Sequence, residues 1–473
     1  MDITGFRVLV LALAVLPAAE SPALVAKVST FGEPWCDLPA GECKGGEATV
    51  EIDVSRTEQE IVGFGCAASE LGWEALACLS GADRAAVFDE LCRDGGFTVI
   101  RTPIGASDFA LDYYSLDDHD GDFAMEGFSI DGDRRALIPL LKEFAARIPP
   151  DVLKIWASPW CPPRWMKKTG CYASRPPWDG GEPNDCLEES RVYEGEDGFN
   201  CDEAHFRAYA LYFRKYADAM RAEGLPIAWV MPQNEPNSAQ PYPSCTWKSA
   251  SLARFTLDYL CPAMEGSGTS VMLGTIERRS MELPDAVLSD PANRAKIAGA
   301  GFQWEGKEAL VPVKKRYPDV FLVGTEQECG DGANDYAHAR HCWELMCHYF
   351  EHGVSVYEYW NIALKTGSVS RWGWRQNSLV SVDPENASFS FNFEYYVLKH
   401  LSAFVKRGAR RLAAGGDYGD ALAFVNPDGS VVVALGNDSA GSVAVAVCGK
   451  RVDLPAKSIA TVVLGECDLA AWK

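Results

Sequence analysis

Two glutamates in this sequence stand where short apolar runs end, and a rigid backbone there would hold a reactive side chain in place. Glu235 follows residues 227–234, and Glu326 ends residues 321–326. Two facing carboxyl groups can cleave an acetal, because one protonates the leaving oxygen while the other attacks the carbon. A single glutamate of this kind is more often a solvated rim residue, so the prediction of a catalytic pair depends on what surrounds both.

Glu328 competes with Glu326 for the second role. The two residues are two apart, so both lie on one face if the strand continues, and alternation does not choose between them. Glu326 sits at the end of the apolar run, where a nucleophile would be held rigidly. Glu328 lies close to Gly330 and Gly332, where the backbone is freer, and we predict a supporting or rim role for it.

Tryptophans end three more of the apolar runs. Trp160, Trp304 and Trp360 each follow a short hydrophobic segment. The face of a pyranose ring is apolar and stacks on an indole, while its hydroxyl groups form hydrogen bonds at the edges. Two carboxylates with three tryptophans beside them therefore indicate cleavage of a glycosidic bond rather than two unrelated surface residues.

Eight short apolar runs alternate with amphipathic, helix-like segments between residues 60 and 362. The runs are residues 61–68, 98–105, 153–160, 227–234, 271–276, 299–304, 321–326 and 354–361. Buried strands that alternate with helices predict parallel βα units, and eight of them predict an α/β fold with a (βα)8 TIM barrel. An open doubly wound sheet is the alternative, disfavoured because no glycine-rich phosphate loop follows the first run. Active sites of TIM barrels lie at the carboxyl ends of the strands, where the glutamates and tryptophans stand.

The pattern changes to period-two alternation after residue 392. A helix-like segment at 392–405 precedes a β-hairpin around Pro427-Asp428-Gly429 and further strands at 442–448 and 458–464. These features predict a second, smaller all-β sandwich domain, to which residues 48–54 are expected to add strands. The expected organisation is a signal peptide at 1–22, an N-terminal segment partly joining the sandwich at 23–59, the catalytic barrel at 60–391 and the sandwich at 392–473.

The amino terminus has the pattern of a secretory signal peptide. Arg7 precedes the apolar run 8–16, which is too short to span a bilayer, and small residues follow. An uncleaved anchor or a plain helix is the alternative. In that compartment many of the sixteen cysteines are expected to pair, and Cys36 and Cys43 are close enough to close a small loop. Asn386 and Asn437 stand in glycosylation sequons. We therefore expect a protein of the secretory pathway, either lysosomal, vacuolar or extracellular.

The formal net charge of −22 excludes one class of partner. Nucleic acid is not expected, since a polyanion would be repelled. An acidic chain also suits an acidic lumen, where carboxylates titrate and the net charge shrinks. No later segment is long and apolar enough to predict a transmembrane helix, and peripheral contact with lipid surfaces is left open.

A histidine-rich segment raises the alternative of a metal site. His338, His341 and Cys342 have i, i+3, i+4 spacing, and His348 and His352 are four apart. Such spacing can bind zinc. The segment is predicted to be an outer barrel helix away from the strand ends, so we expect no metal and no cofactor.

Seven stretches together resemble glycoside hydrolase family 30, a family of clan A barrels. They are residues 63–65 (GFG), 100–103 (IRTP), 107–109 (SDF), 156–160 (WASPW), 234–236 (NEP), 360–364 (WNIAL) and 426–430 (NPDGS). The resemblance covers nearly the whole chain from about residue 62. It implies a retaining mechanism in which Glu235 is the acid/base and Glu326 the nucleophile.

The resemblance also implies which residues hold the sugar. Arg101 would steady the nucleophile by a charge-assisted hydrogen bond, although a buried salt bridge that merely supports the barrel is the alternative. The expected substrate-binding residues are Asn234 at the 2-hydroxyl, Glu70 at the outer hydroxyls, Arg101, the pocket residues Trp160 and Trp360, and Trp304 at the rim.

Three substrate readings stay open. The first is hydrolysis of glucosylceramide to glucose and ceramide by double displacement, and the second is β-1,6-glucanase activity on a polysaccharide. A catalytically inactive carbohydrate-binding protein is a reading of another class, disfavoured because both carboxylates are present. Departures from the family pattern bear on the leaving-group side: Gln303 in place of a histidine, Cys329 three residues after Glu326, and an insertion at residues 171–201.

Overall fold

Eight short, buried strand positions form one parallel sheet that closes on itself. The computed structural model describes residues 25–465. In chain order the strands are β1 (Gly63–Ala67), β2 (Val99–Pro103), β3 (Lys154–Ser158), β4 (Ile227–Val230), β5 (Ser270–Val271 and Leu273–Ile276), β6 (Ala300–Gln303), β7 (Leu322–Glu326) and β8 (Val354–Asn361). Strand β8 pairs with β1, and the two parts of β5 pair with β4 and β6, which completes the ring. The predicted (βα)8 barrel is confirmed.

Helices surround the barrel and cover the outer face of its strands. Because both faces of the sheet are then covered, the strands are almost continuously apolar rather than alternating. The helices are Glu70–Ala77, Gly81–Asp89, Leu137–Ala145, Glu203–Ala222, Ser249–Arg254, Cys261–Met264, Glu282–Leu288, Pro291–Arg294, Gly306–Arg316, Tyr336–Glu351 and Phe393–Ser402, with π-helical turns at Glu90–Asp94 and Phe255–Leu260 and 3-10 turns at Asp133–Arg135, Arg164–Met166 and Glu188–Ser190.

A second sheet contains strands from both ends of the described chain. Its ten strands are Val25–Thr30, Cys36–Asp37, Ala40–Glu42, Ala48–Glu60, Arg410–Gly415, Ala421–Val425, Val431–Asn437, Val443–Val447, Lys450–Leu454 and Ser458–Leu464. Val25–Thr30 pairs with Ser458–Leu464, and Ala48–Glu60 pairs with Arg410–Gly415. The chain therefore enters the barrel from this sheet and returns to it, and the predicted all-β second domain is confirmed.

A small third sheet follows the barrel directly. Ala363–Lys365, Val380–Asp383 and Ser388–Phe391 form its three strands. The loop between the first two returns to the mouth of the barrel. The sequence pattern did not indicate this sheet, since its strands are only three or four residues long.

The disulfide prediction is wrong for the described residues. All fifteen cysteines between residues 25 and 465 are free, including the exposed Cys36 and Cys43. Among the others, Cys66 lies in a barrel strand and Cys261, Cys342 and Cys347 lie in helices, where a thiol packs as a small apolar side chain. The sixteenth, Cys467, and the predicted signal peptide lie outside the described residues.

The two sequons differ in accessibility. Asn437 is 3% exposed, and its Nδ2 group donates to the carbonyls of Gly441, Leu454 and Pro455. The folded chain therefore leaves no room for a glycan there, whereas Asn386 lies in an exposed turn. Within residues 25–465 no helix is both long and apolar enough to cross a membrane.

Candidate active site

The carboxyl ends of the barrel strands surround a cavity of about 260 Å³ that contains both predicted glutamates. Glu235 follows β4 and Glu326 ends β7. Side chains that follow the other strands complete the wall. The lining residues are Asp108, Trp160, Asn234, Glu235, Ser238, Gln240, Tyr242, Arg278, Trp304, Glu305, Glu326, Trp374 and Gln376.

One amide group joins the two carboxylates. Gln303 Nε2 donates to Glu235 Oε1 at 3.1 Å and to Glu326 Oε2 at 3.2 Å. These two oxygens are therefore separated by no more than the sum of the two bonds. That limit is below the roughly 6.5–9.5 Å of inverting glycosidases and is compatible with the roughly 5–5.5 Å of retaining ones.

Glu326 is surrounded by donors. Arg101 Nη1 donates to its Oε2 at 2.6 Å, and Trp304 Nε1 donates to its Oε1 at 3.1 Å. Burial raises the pKa of Glu326 above its ordinary value, although the charge of Arg101 and these hydrogen bonds act in the opposite direction. Both oxygens thus have partners that favour the ionised form.

Glu235 lacks a comparable cation. Within residues 25–465 its side chain accepts a hydrogen bond only from Gln303. Burial, and next the negative charge of Glu326, raise the pKa of Glu235 well above its ordinary value. Its backbone has a φ of 50°, uncommon for a residue with a Cβ, and its amide donates to Thr275 Oγ1 at 3.2 Å. The surroundings therefore favour the protonated form of the carboxyl group, and the backbone that carries it is held in place.

Arg101 lies beneath the cavity rather than in its wall. It is fully buried, and its Nη2 group donates to Asn234 Oδ1 at 2.6 Å and to Ser158 Oγ at 3.2 Å. Its guanidinium stacks over Trp160 at 4.5 Å and Trp360 at 5.4 Å from the ring centroids. Arg101 thus positions Glu326 and Asn234 from below, and contact with substrate is left to other residues.

The predicted tryptophans have different positions. Trp160 and Trp304 line the cavity. Trp360 is behind Trp160, stacked on it with ring centroids 5.1 Å apart, and is 1% exposed. It therefore supports the wall and does not form its surface.

Asn234 presents its amide group to the cavity. Its Oδ1 atom already accepts from Arg101, Thr275 and Gln303. This arrangement orients Nδ2 away from these three donors, and Nδ2 has no acceptor among residues 25–465. A donor is therefore available to a bound hydroxyl group.

Glu70 does not reach the cavity, in contrast to its predicted role. It begins the helix Glu70–Ala77, and its Oε2 atom accepts from the amide of Leu111 at 2.8 Å, while Oε1 is 3.7 Å from Arg135. Besides the two glutamates, the buried carboxyl group that lines the cavity is that of Asp108. Its Oδ1 atom has no hydrogen-bond partner in the described structure. Burial, and next the charge of Glu326, raise the pKa of Asp108 well above its ordinary value. Asp108 belongs to residues 107–109, one of the stretches that resemble the family, and this was the sequence signal that could have identified it.

The neighbouring glycines suggested a loosely held Glu328, but its side chain is firmly bound. Lys307 Nζ donates to it at 2.6 Å, and His341 Nε2 lies 2.8 Å from its other oxygen. Although burial opposes it, these two bonds lower the pKa of Glu328 to about 2. Both partners belong to outer helices, so the carboxylate is directed outward and does not line the cavity with Glu326.

The histidine-rich segment forms the outer helix Tyr336–Glu351, as predicted. It is nearer the strand ends than expected, since His341 contacts Glu328. Between residues 25 and 465 no group of three or more histidine, cysteine or acidic side chains is arranged to hold a metal ion.

A larger cavity of about 510 Å³ adjoins the first one. It lies between the loops that follow β7 and β8, shares Gln376 with the glutamate-containing cavity, and contains neither Glu235 nor Glu326. Its lining is mostly polar backbone and side chains, and no chemistry follows from it directly.

The chain matches two family models and several known proteins. The matches are to the Glycosyl hydrolase family 30 TIM-barrel domain over residues 61–405 and to the beta sandwich domain of that family over residues 408–462. One relative is Endo-1,6-beta-D-glucanase BGN16.3 of Trichoderma harzianum, 27% identical over 84% of this chain and 82% of that protein. Another is Lysosomal acid glucosylceramidase of Mus musculus, 24% identical over 81% of this chain and 76% of that protein.

A solved structure supports the same assignment at the level of the fold. The endo-beta1,6-glucanase BT3312 superposes with a TM-score of 0.77 and 24% identity, over 94% of this chain and 99% of that one. The barrel match alone covers well over half of the present sequence. This chain therefore belongs to glycosyl hydrolase family 30 and is a glycoside hydrolase.

Proposed function

We propose that the protein is a retaining β-glucosidase in which Glu235 is the acid/base and Glu326 the nucleophile. The observation that supports this most directly is the shared amide of Gln303, which keeps one oxygen of each carboxylate within 3.2 Å of the same nitrogen. The resulting limit on the distance between these oxygens is below the separation of roughly 6.5–9.5 Å that an inverting enzyme needs for its water.

The two glutamates act in sequence. Glu326 attacks the anomeric carbon while Glu235 gives its proton to the glycosidic oxygen. The leaving group departs, and a covalent glycosyl-enzyme remains. Glu235, now a base, removes a proton from water, and the water oxygen displaces Glu326. Two inversions return the original anomeric configuration.

The cavity walls hold the sugar during both steps. We propose that Asn234 Nδ2 donates to the 2-hydroxyl group and that Asp108 accepts from outer hydroxyl groups, in the role first assigned to Glu70. Trp160 offers an apolar face to the pyranose ring. Arg101 and Trp304 favour the ionised form of Glu326 and align it through their bonds to its two oxygens.

The leaving group distinguishes two candidate substrates. The relatives' names include both a glucosylceramidase and β-1,6-glucanases. The cavity rim is rich in polar and charged side chains, among them Gln240, Arg278 and Glu305, which suit sugar hydroxyl groups better than two hydrocarbon chains. The charge of −22 also disfavours approach to an anionic bilayer. We therefore favour a β-glucan and retain glucosylceramide, the first expectation, as the second candidate.

A secretory or lumenal compartment is part of the proposal. It is supported by the leader-like amino terminus and by a relative whose name includes the word lysosomal. Mass spectrometry of natively expressed protein should show a chain that begins between Glu20 and Val25. Retention of Met1 would contradict it.

A substrate panel tests the proposed activity. Purified protein should hydrolyse an aryl β-glucoside and, with higher kcat/KM, a soluble β-1,6-glucan, while glucosylceramide in detergent is measured beside them. Proton NMR of the first product formed should show the β anomer. An α anomer, or no turnover of any β-glucoside, would contradict the proposal.

A further inference from the structure

We propose that the insertion at residues 171–201 forms a second carbohydrate subsite, centred on Trp178, that binds a glucan residue beyond the one held in the cavity. This inference rests on the proposed glucosidase function and deepens it, because it names a polymeric β-glucan as the substrate class. Trp178 is 38% exposed, unusual for a tryptophan that makes ring contacts.

A continuous set of aromatic rings connects the cavity to Trp178. Tyr242 and Trp374 both line the cavity, with ring centroids 6.1 Å apart. Trp374 in turn packs edge to face against Trp178, with centroids 5.5 Å apart and an interplanar angle of 87°. Since sugars stack on aromatic faces, a saccharide chain that leaves the cavity along this wall meets one ring after another.

The insertion is fixed to the wall of the cavity by hydrogen bonds. The buried ammonium group of Lys167 donates to the carbonyls of Tyr172, Ala173 and Ser244. Asn184 Nδ2 donates to the carbonyls of Arg175 and Pro241, both at 2.8 Å. Both ends of the loop that carries Trp178 are therefore fixed to the segment that ends the cavity wall, which reduces the entropy cost of ordering it on binding.

Polar groups beside Trp178 favour a sugar over a hydrocarbon chain. The guanidinium of Arg175 lies 5.7 Å from the Trp178 ring centroid. Its Nη1 and Nη2 groups have no acceptor among residues 25–465, so they are free to donate to hydroxyl groups. Asp179 and Glu182 are exposed nearby in sequence. An exposed aromatic ring with a guanidinium over it and carboxylates nearby in sequence offers a pyranose both apolar and polar contacts.

Trp178→Ala tests the subsite with two substrates of different length. Beyond the cleaved bond an aryl β-glucoside carries only one aromatic ring and no further sugar for the subsite to hold, so its kcat/KM should change far less than that of a glucan. For long-chain β-1,6-glucan we expect kcat/KM to fall by about two- to tenfold, the loss that corresponds to one stacking contact. Trp178→Tyr keeps an aromatic face and should retain most of the activity on glucan.

Leu187→Ala is the matched control. Leu187 is apolar, 62% exposed and in the same insertion, but it makes no ring contact, and its replacement should change neither activity. An equal loss on both substrates in Trp178→Ala would show a structural role and overturn the inference. So would unchanged turnover of glucan, or a loss confined to glucosylceramide in detergent. A wild-type protein inactive on the aryl β-glucoside would instead refute the proposed function itself.

Discussion

Glu235 and Glu326 have the same side chain in the same cavity, yet their surroundings differ in charge. Arg101 and Trp304 donate to Glu326, whereas Glu235 faces Glu326 and receives only the neutral amide of Gln303. Burial raises the pKa of both groups, and at Glu326 the directly hydrogen-bonded cation Arg101 opposes it. Two carboxyl groups whose environments separate their pKa values in this way are suited to opposite roles, one as acid and one as nucleophile.

Replacing the acid should affect substrates unequally. In Glu235→Gln we expect kcat/KM for an unactivated β-glucoside to fall by about 10²–10⁴, because no proton reaches the leaving oxygen. The glycosylation step of a dinitrophenyl β-glucoside should be slowed far less, since that leaving group departs without a proton. A pre-steady-state burst of dinitrophenolate measures this step.

The control for that experiment is the second glutamate. Glu326→Gln should abolish turnover of both substrates and give no burst, because no covalent intermediate forms. Equal losses for activated and unactivated substrates in Glu235→Gln would show that Glu235 is not the acid.

For individual residues, the sequence predicted the pair of glutamates that meets in the cavity, but it did not predict which side chains contact each other. Glu235 and Glu326 were identifiable because they end apolar runs. Glu70 and Asp108 were not separable, since which of two acidic residues points into the cavity depends on the Leu111 amide and Arg135, both distant from Glu70 in sequence. The outward direction of Glu328 likewise depends on Lys307 and His341, on two different helices.

Strand β5 holds the segment that carries the acid. Just after its end, Glu277 Oε1 accepts from the amide of Asn237 at 2.8 Å and from Ser238 Oγ at 3.1 Å. Burial raises the pKa of Glu277 to about 7. Its charge is one of the causes that raise the pKa of Glu235, after burial and the charge of Glu326. The end of β5 therefore fixes the segment that follows the acid and contributes to the proton affinity of Glu235.

Glu277→Gln should change the pH dependence of the reaction more than its maximum rate. Glutamine keeps an oxygen for the Asn237 amide, but it removes a negative charge that favours the protonated form of Glu235. The pKa of Glu235 should fall, and because Glu235 must be protonated to donate, the alkaline limb of the kcat/KM profile should move to lower pH. The acid limb, set by ionisation of Glu326, should move little.

Arg279→Gln is the control for this profile. Arg279 follows the same strand and pairs with Glu305 and Glu308, and it is largely exposed. Its loss should leave the alkaline limb in place. An alkaline limb that stays unchanged in Glu277→Gln, or moves to higher pH, would contradict the role given to β5.

The elements themselves were predictable because burial on both faces makes each barrel strand a short continuous apolar run. Seven of the eight runs contain the observed strands, including Val354–Asn361 with the same bounds, and the fifth misses only Ser270. In the sequence, residues 171–201 were visible only as an interruption of the family pattern. Its position beside Tyr242 depends on single hydrogen bonds, such as that from the Ser174 amide to the Gln240 carbonyl, and no periodic pattern reports these.

In the whole molecule, the sandwich domain packs against the barrel through a partly buried ionic contact. Asp420, just before the strand Ala421–Val425, accepts from Arg340 Nη1 and from Trp343 Nε1, both at 2.6 Å. Both donors belong to the barrel helix Tyr336–Glu351. The helix behind β7 and β8 is thus bound to the second domain, which stabilises the side of the barrel that carries Glu326.

Asp420→Ala should lower the stability of the whole chain. The substitution leaves the charged donor of Arg340 and the neutral donor of Trp343 without their acceptor. We expect the free energy of unfolding to fall by about 2–3 kcal/mol. We expect the midpoint of thermal unfolding to fall by several degrees, measured by calorimetry. Asp453→Ala is the control, because its ion pair with Arg451 is more exposed and should contribute roughly 0–1 kcal/mol. Equal midpoints for the two variants would contradict this account of the domain contact.

Whole-molecule properties were the hardest to predict from sequence. The second domain was visible as alternating strands, but pairing of Val25–Thr30 with Ser458–Leu464 joins segments more than 400 residues apart. Cysteine number and sequons are local signals, whereas whether Cys36 pairs or Asn437 is accessible depends on the folded neighbourhood.

The nucleophile assignment is the central claim, and covalent labelling tests it most directly. A 2-fluoro glucoside with an activated leaving group slows hydrolysis of the glycosyl-enzyme more than its formation, so the intermediate should accumulate and be mapped by mass spectrometry of proteolytic peptides. Because Glu326 and Glu328 fall in one peptide, fragmentation must resolve the residue. Label on Glu326, absent in Glu326→Gln and retained in Glu328→Gln, is the result that we predict. Label on Glu328, or complete inactivation without any covalent adduct, would contradict it.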